Sequence, residues 1–410
     1  MNKKSLLLWA IAAILVLWVL VFYWQNLRGI WPAIKPPVDD IAEQIPGTIP
    51  SSSFPPPSIE PGQETVPFPL KLPGGFSISV FAKNLPGARV MQFDAFGNMW
   101  VSRTSEGAIT LLEVKNGAVV RQDDVLSGLD KPHGLAFGPD DQFLFYYAEE
   151  NGISRLRVYS EGKPEKITDL PSDGGHFTRT ISFGPDGRLY VSIGSSCNVC
   201  YETDDRRAKI FSMDKNGGDP KEYARGLRNS VFFTWHPVTG KMWATEMGRD
   251  LLGDNIPPDE INIVRPGANY GWPTCYGKNI HDGGFDKKQY FRNPCLEPFE
   301  TGSYIDIPAH SAPLGLAFLG GQKWPQKMQN GLLVAYHGSW NRTTPTGYKV
   351  VLMRFTDGGA YLGAEDLITG WLTGKGVLGR PVDILVRQDE GAIYISDDKA
   401  GVIYKVTYNP

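Results

Sequence analysis

Six times along this chain the same local pattern returns. Each copy is an apolar strand, a turn built from Gly, Asp or Pro, and a second strand rich in aromatic and β-branched residues. The copies start at Met91 (MQFDAFGNMWVS), Gly134, Ile181 (ISFGPDGRLYVSIG), Val231, Leu314 and Val382. Asp-Gly between two short alternating runs is a strong hairpin signal. The first four copies begin roughly 40 to 50 residues apart, the span of one four-stranded propeller blade. A longer stretch separates the fourth from the fifth, so that blade carries an insertion. Six units predict an all-β, six-bladed propeller. GFSISVF at residues 75–81 and GVIYKVTY at 401–408 are strand-like segments at the two ends. They are expected to share one blade and close the ring.

Ahead of the repeats, two lysines precede residues 6–24, which carry no charge and end in Phe22-Tyr23-Trp24. The run is long enough for a bilayer span with an aromatic belt. It predicts a transmembrane anchor over residues 1–30, kept as an uncleaved signal-anchor, with the globular part on the periplasmic or extracytoplasmic side. Residues 31–73 hold twelve prolines. Such a segment is extended and cannot form a core, which predicts a linker. Residues 74–410 then form the propeller domain. The net charge is −3 and no basic block is present, which excludes a nucleic-acid partner. Cysteines stand at 197, 200, 275 and 295. In an oxidising compartment Cys197–Cys200 and Cys275–Cys295 is one of three connectivities, with thiols or a metal as the alternative.

The recurring hairpin is scaffold; the loops that do not recur are the candidates for chemistry. Gly174-Gly175-His176 feeds the third copy with an imidazole, which can accept a proton near neutral pH. Arg179 follows three residues later. His133 and His236 read as structural. Arg228-Asn229 precedes a strand, where a propeller loop points toward the axial funnel. Arginine offers a rigid fork to carboxylates, and asparagine both donates and accepts. Residues 245–273 gather Glu246, Asp250, Asp254, Asp259 and Glu260 among Gly- and Pro-rich loops. Carboxylates with free carbonyls are what a hard cation such as Ca²⁺ requires, although the EF-hand spacing is absent. Arg342 and Arg380 stand near further strand boundaries. Several arginines facing one funnel suit a planar ligand with several carboxylates. No phosphate-binding glycine motif is present, which disfavours nucleotide cofactors.

GGHFTR, FGPDGRLYVSIGS, ARGLRN, PDEINIV with NYGWP, HSAPLGLAF, HGSWNR and GRPVDILV with ISDDKAGVIYKV together resemble the soluble-type sugar dehydrogenases that depend on pyrroloquinoline quinone (PQQ). Within them the sequence is most similar to the L-sorbosone dehydrogenase-like branch. The resemblance implies a six-bladed propeller with PQQ and Ca²⁺ in its funnel. It implies that His176 is the base and that Arg228 acts beside it in catalysis. Arg179, Arg228, Asn229, Asn341, Arg342 and Arg380 are the implied cofactor-binding set. Gly248 and Arg249 would ligate the active-site Ca²⁺ through their main-chain oxygens, and Glu260 and Tyr270 a structural Ca²⁺ pair. Two positions depart from the family pattern. Val382 stands where a second arginine is expected, and Asn341, with Arg342 beside it, where a lysine is expected. The implied partners are a sugar substrate and an external electron acceptor, quinone or cytochrome. Two other readings stay open on the residues alone: a Ca²⁺-dependent lactonase-like hydrolase, and a non-catalytic propeller that binds sugar or protein.

Overall fold

The structure is a computed structural model that describes residues 3–22, 66, 68–356 and 358–409. Six antiparallel sheets, each with four principal strands, are arranged as consecutive blades. The first five span residues 88–126, 135–169, 181–225, 233–307 and 313–368. The sixth takes Pro381–Arg387, Ala392–Asp397 and Val402–Tyr408 from the end of the chain, and Phe76–Ala82 from its beginning. Phe76 pairs with Tyr408 and Val80 with Tyr404, which closes the ring as expected.

The turn chemistry explains the hairpins. In the third blade Gly187 adopts φ +76° and its N–H bonds to the Gly184 carbonyl at 2.9 Å, between Ile181–Phe183 and Leu189–Ile193. A side chain at that φ would be strained. Leu189–Ile193 is buried on both faces, because neighbouring blades cover it. Between the fourth and fifth blades Trp243 packs edge-on against Tyr304, Phe318 and Phe355 at 5.2–5.4 Å. Such aromatic pairs each contribute about 0.5–1.5 kcal/mol beyond burial.

The predicted insertion lies inside the fourth blade, between Asp259–Val264 and its outer strand Ile305–Ile307. Within it Ala268–Asn269 joins the edge of the third blade by parallel pairing with Lys221–Arg225. Cys275–Cys295 staples the rest. The other pair is Cys197–Cys200, so both expected disulfides form.

Two expectations for the amino-terminal region change. Helix Lys3–Phe22 carries exposed apolar side chains, but among the described residues no helix is long and apolar enough to cross a membrane. The helix begins with both lysines, and its described extent ends before Tyr23 and Trp24. The anchor is therefore not supported. Residues 31–65 of the predicted linker lie outside the described residues. Its last part belongs to the globular unit: Val66, Phe68, Leu70 and Leu72 pack against the fifth and sixth blades, and Lys71 bridges to Thr369.

Candidate active site

Blade topology decides which loops can meet. The first strand of each blade runs away from one face of the ring and the second returns to it. Loops entering a first strand therefore share that face with loops joining second and third strands. His176, Arg228 and Arg380 lie in loops of the first kind. Asn198, Gly248, Arg249, Asn341 and Arg342 lie in loops of the second kind. Residues distant in sequence are thus collected at one end.

His176 is half-buried. Its Nδ1 lies 2.9 Å from both the carbonyl and the Oγ of Ser195. The carbonyl can only accept, and the Ser195 hydroxyl already donates to the Cys197 carbonyl at 2.7 Å. Nδ1 must therefore carry the proton, which leaves Nε2 as the acceptor. Burial first, then the Arg228 guanidinium, holds the imidazole well below its ordinary pKa, so it is neutral at pH 7. Gly194 makes the approach possible: a Cβ there would lie 2.6 Å from the His176 Cβ and 2.7 Å from the Asn229 Oδ1.

Arg179 is fully buried beneath this loop. It donates to the carbonyls of Pro171, His176 and Thr178 at 2.7–2.9 Å. Arg207 does the same for Pro171, Ser172 and Asp173. Arg179 is thereby placed as a brace for His176, with its Nη atoms directed at the loop. Burial, then Arg207, pulls its guanidinium down to about 10.

Arg228 is buried and held on several sides. Its Nε donates to the Asn198 carbonyl at 2.9 Å and Nη2 to the Asn198 Oδ1 at 3.0 Å. Nη2 also meets Asp250 at 3.2 Å, and Nη1 the Met247 carbonyl at 3.3 Å. The other Asp250 oxygen accepts from Asn341 Nδ2 at 2.6 Å. Asp250 thus joins the fourth and fifth blades to Arg228. Asn341 Oδ1 is buried with no partner among the described residues. Arg342, partly exposed, is oriented by the Ala309 carbonyl and Asn255. On the far side of the ring Arg380 is clamped by the carbonyls of His337 and Gly338 through Nε and Nη2. Its Nη1 makes no bond among the described residues. Val382 is fully buried in the core.

Arg228, Gly248, Arg249, Glu260 and Tyr270 line one narrow cavity with Glu246, Trp272 and Asp282. It has about 20 Å³ of free space, room for about one water-sized sphere. Glu246 and Glu260 sit opposite each other on paired strands. Burial, then Glu260, pushes Glu246 up to about 8. Burial also pushes Glu260 and Asp259 up to about 7. Asn262 Oδ1 beside Glu260 is buried and unpartnered. Neither the Gly248 nor the Arg249 carbonyl accepts a hydrogen bond among the described residues, whereas the Arg249 side chain pairs with Asp282 at 2.5 Å. Buried carboxylates without ion-pair partners among the described residues, together with free carbonyls, fit a hard divalent ion. The Tyr270 hydroxyl donates to the Ile263 carbonyl at 2.7 Å and accepts from the Arg265 N–H at 3.0 Å.

Residues 70–409 match the TrAA12-like family. The chain belongs to that family. An uncharacterized protein of Borreliella burgdorferi is 31% identical, covering 86% of this chain and 94% of that one. The pyrroloquinoline quinone-dependent pyranose dehydrogenase of Coprinopsis cinerea is 23% identical over 84% of this chain, and the match takes in 55% of the relative. The chain therefore spans about half the length of that enzyme. The holo PQQ domain of that protein superposes with TM-score 0.70, at 21% identity, over 85% of this chain and 99% of the domain. A calcium structure of the Trichoderma reesei AA12 enzyme gives TM-score 0.72, at 20% identity, over 85% and 99%. At these identities the superpositions establish the fold. Sugar dehydrogenases that use PQQ are the TrAA12-like chain's relatives, as its motifs imply; the sorbosone branch is not distinguished by them.

Reading motifs left four participants without roles. Asp250 and Glu246 were visible only as acidic residues in a loop. Asn198 and Arg207 gave no local signal, because each acts through contacts made in the folded ring.

Proposed function

We propose that this TrAA12-like protein oxidises a sugar hydroxyl with PQQ as acceptor and Ca²⁺ as the accompanying ion, with His176 as general base. The observation that carries the reading is the His176 ring, fixed at Nδ1 with Nε2 left as acceptor beside an immobilised Arg228. When bound, PQQ would supply a two-electron acceptor and Ca²⁺ a concentrated positive charge. The free Nη1 of Arg380 and the exposed part of Arg342 offer cations to carboxylates. The unpartnered Asn341 Oδ1 offers an acceptor, and the Gly248 and Arg249 carbonyls offer ligands to the ion.

His176 Nε2 takes the proton of the substrate hydroxyl. The imidazolium that results is steadied by the Ser195 carbonyl through Nδ1–H. Arg228 cannot swing away, because Asn198, Met247 and Asp250 hold it, so its charge is preorganised for an oxygen that becomes negative. An aldose or related sugar is the substrate class, with sorbosone as one candidate, and the electrons pass on to an external acceptor. An oxidising, extracytoplasmic compartment is part of this proposal, and the two disulfides support it.

The test is reconstitution of the full chain with PQQ and Ca²⁺, followed by dye reduction with pyranoses, other aldoses and sorbosone. Saturable, PQQ-dependent turnover with at least one sugar is expected. Absence of both PQQ binding and turnover overturns the proposal.

A further inference from the structure

The tetrapeptide Cys197-Asn198-Val199-Cys200 is closed by its own disulfide and touches both active groups. Asn198 receives Arg228 at its carbonyl and its side-chain oxygen, and that same Oδ1 accepts the Asp250 N–H at 2.7 Å. Its Nδ2 donates to the Asp250 carbonyl at 3.1 Å. At the other end the Cys197 carbonyl takes the Ser195 hydroxyl, which compels His176 Nδ1 to be a donor. One small ring thus sets the arginine and the tautomer of the imidazole together. A second rung follows: Ser196 is bound by Glu202 through N–H and Oγ, and its carbonyl accepts the Gly175 N–H at 2.8 Å.

Closing the ring removes freedom from Asn198 before Arg228 arrives, so the two-point contact loses less entropy. The two disulfides also differ in access. Cys275 and Cys295 are buried, whereas Cys197 and Cys200 are partly exposed. A dithiol reaches one and not the other.

We propose that the 197–200 disulfide ring is a redox-sensitive positioning element. Oxidised, it holds Arg228 and His176 in register; reduced, it lowers turnover without releasing the cofactor. The reduction is balanced by a dithiol: the Sγ–Sγ bond breaks, two electrons and two protons give two thiols, and the dithiol closes to its own disulfide. Asn198 is the positioning residue. The inference rests on the functional reading above, so its test includes a measurement that needs no turnover.

The full chain, loaded with PQQ and Ca²⁺, is treated with dithiothreitol, and mass spectrometry identifies the opened bridge. The Cys197→Ser, Cys200→Ser double variant is compared without reductant. Turnover at saturating PQQ is expected to fall roughly 10–100-fold, the scale of a small misplacement of catalytic groups, while the midpoint of a PQQ titration is unmoved. In ¹⁵N-histidine spectra, with His176→Gln for assignment, the Nδ1–H tautomer of His176 should give way to a mixture. If the double variant does not fold, Asn198→Asp and Asn198→Ala replace it. The aspartate keeps an acceptor for Arg228 and should retain more turnover than the alanine. Unchanged turnover and tautomer after opening the ring overturn the proposal, as does PQQ affinity falling in step with turnover. If the untreated chain never turns over with PQQ, the functional reading fails, while the ring-nitrogen signal still decides the positioning role.

Discussion

Two charged regions face each other across the ring, and they are built on opposite principles. At the sixth blade Asp398 is met by Arg89 at 2.8 Å and by His337 at 3.0 Å. Burial would raise its carboxyl, but His337, Arg89 and Arg380 outweigh that and hold it well below the usual range. Its neighbour Asp397 accepts four bonds, from the N–H groups of Arg380 and Ala400, from Trp371 and from Tyr404. At the fourth blade Glu246 accepts only two, from Asn229 and Ser230. Glu260 likewise accepts two, from Gly277 and Asn262. Neither has an ion-pair partner among the described residues. In the first region the carboxylates are covered by an ion pair or by four hydrogen bonds, although burial still pushes Asp397 up to about 6, and the region fastens the seam where the ring closes. The second is short of positive charge, which is how a fold stores affinity for a cation it does not itself provide.

The largest effect belongs to the proposed base. His176→Gln should cut turnover by roughly 10²–10⁴-fold while PQQ titrates as in the parent. Full activity at saturating PQQ would remove His176 from the mechanism.

Next comes the seam region. Asp398→Ala removes the carboxylate that Arg89 and His337 share, and a half-buried pair of this kind should cost less than the about 3–5 kcal/mol of a fully buried one. Chemical denaturation should show that loss, with the response to chelator unchanged. A stability within about 0.5 kcal/mol of the parent would mean that the seam does not depend on this pair.

The deficient region gives a pH signature. Folding raises Glu246 to about 8 and Glu260 to about 7 from the ordinary glutamate range. The folded state therefore holds more protons than the unfolded state between about pH 4.5 and 8, and stability without metal falls as pH rises through that window. Ca²⁺ takes over the role of the protons, so its gain in melting temperature should be larger at pH 8 than at pH 5. Glu246→Gln should flatten both trends. A Ca²⁺ increment independent of pH would separate these carboxylates from the ion.

The smallest effect is a shift of profile. Arg228 helps to keep His176 neutral, so the acid limb of kcat/KM should lie below pH 6.5. In Arg228→Gln it should move upward, on top of a lower rate. An unmoved limb would show that burial alone sets the ionisation.

Much of the ring was legible because each blade repeats a local instruction: alternating apolar residues and a turn residue that accepts positive φ. His176 and Arg228 were legible because they interrupt that repetition. Arg179 stands three residues from His176, and proximity in sequence could not tell a ligand from a brace; only the path of the 171–178 loop does. Asn198 was unreadable for a related reason: its partners come from two other segments. The amino-terminal run looked sufficient by length, but among the described residues no helix is long and apolar enough to cross a membrane.

The clasp imposes an order on synthesis. Phe76–Ala82 leaves the ribosome first among the strands, and its partner Val402–Tyr408 leaves last. Through most of translation the early strand has an unpaired edge, the kind of surface that recruits other chains. The ring cannot close until Val402–Tyr408 has been made, and the closing step joins the most distant strands of the domain, a slow class of contact. A nonsense codon that removes only the last strand would leave two open edges, one on Phe76–Ala82 and one on Ala392–Asp397. The seven residues Val402–Tyr408 therefore matter to proteostasis out of proportion to their number.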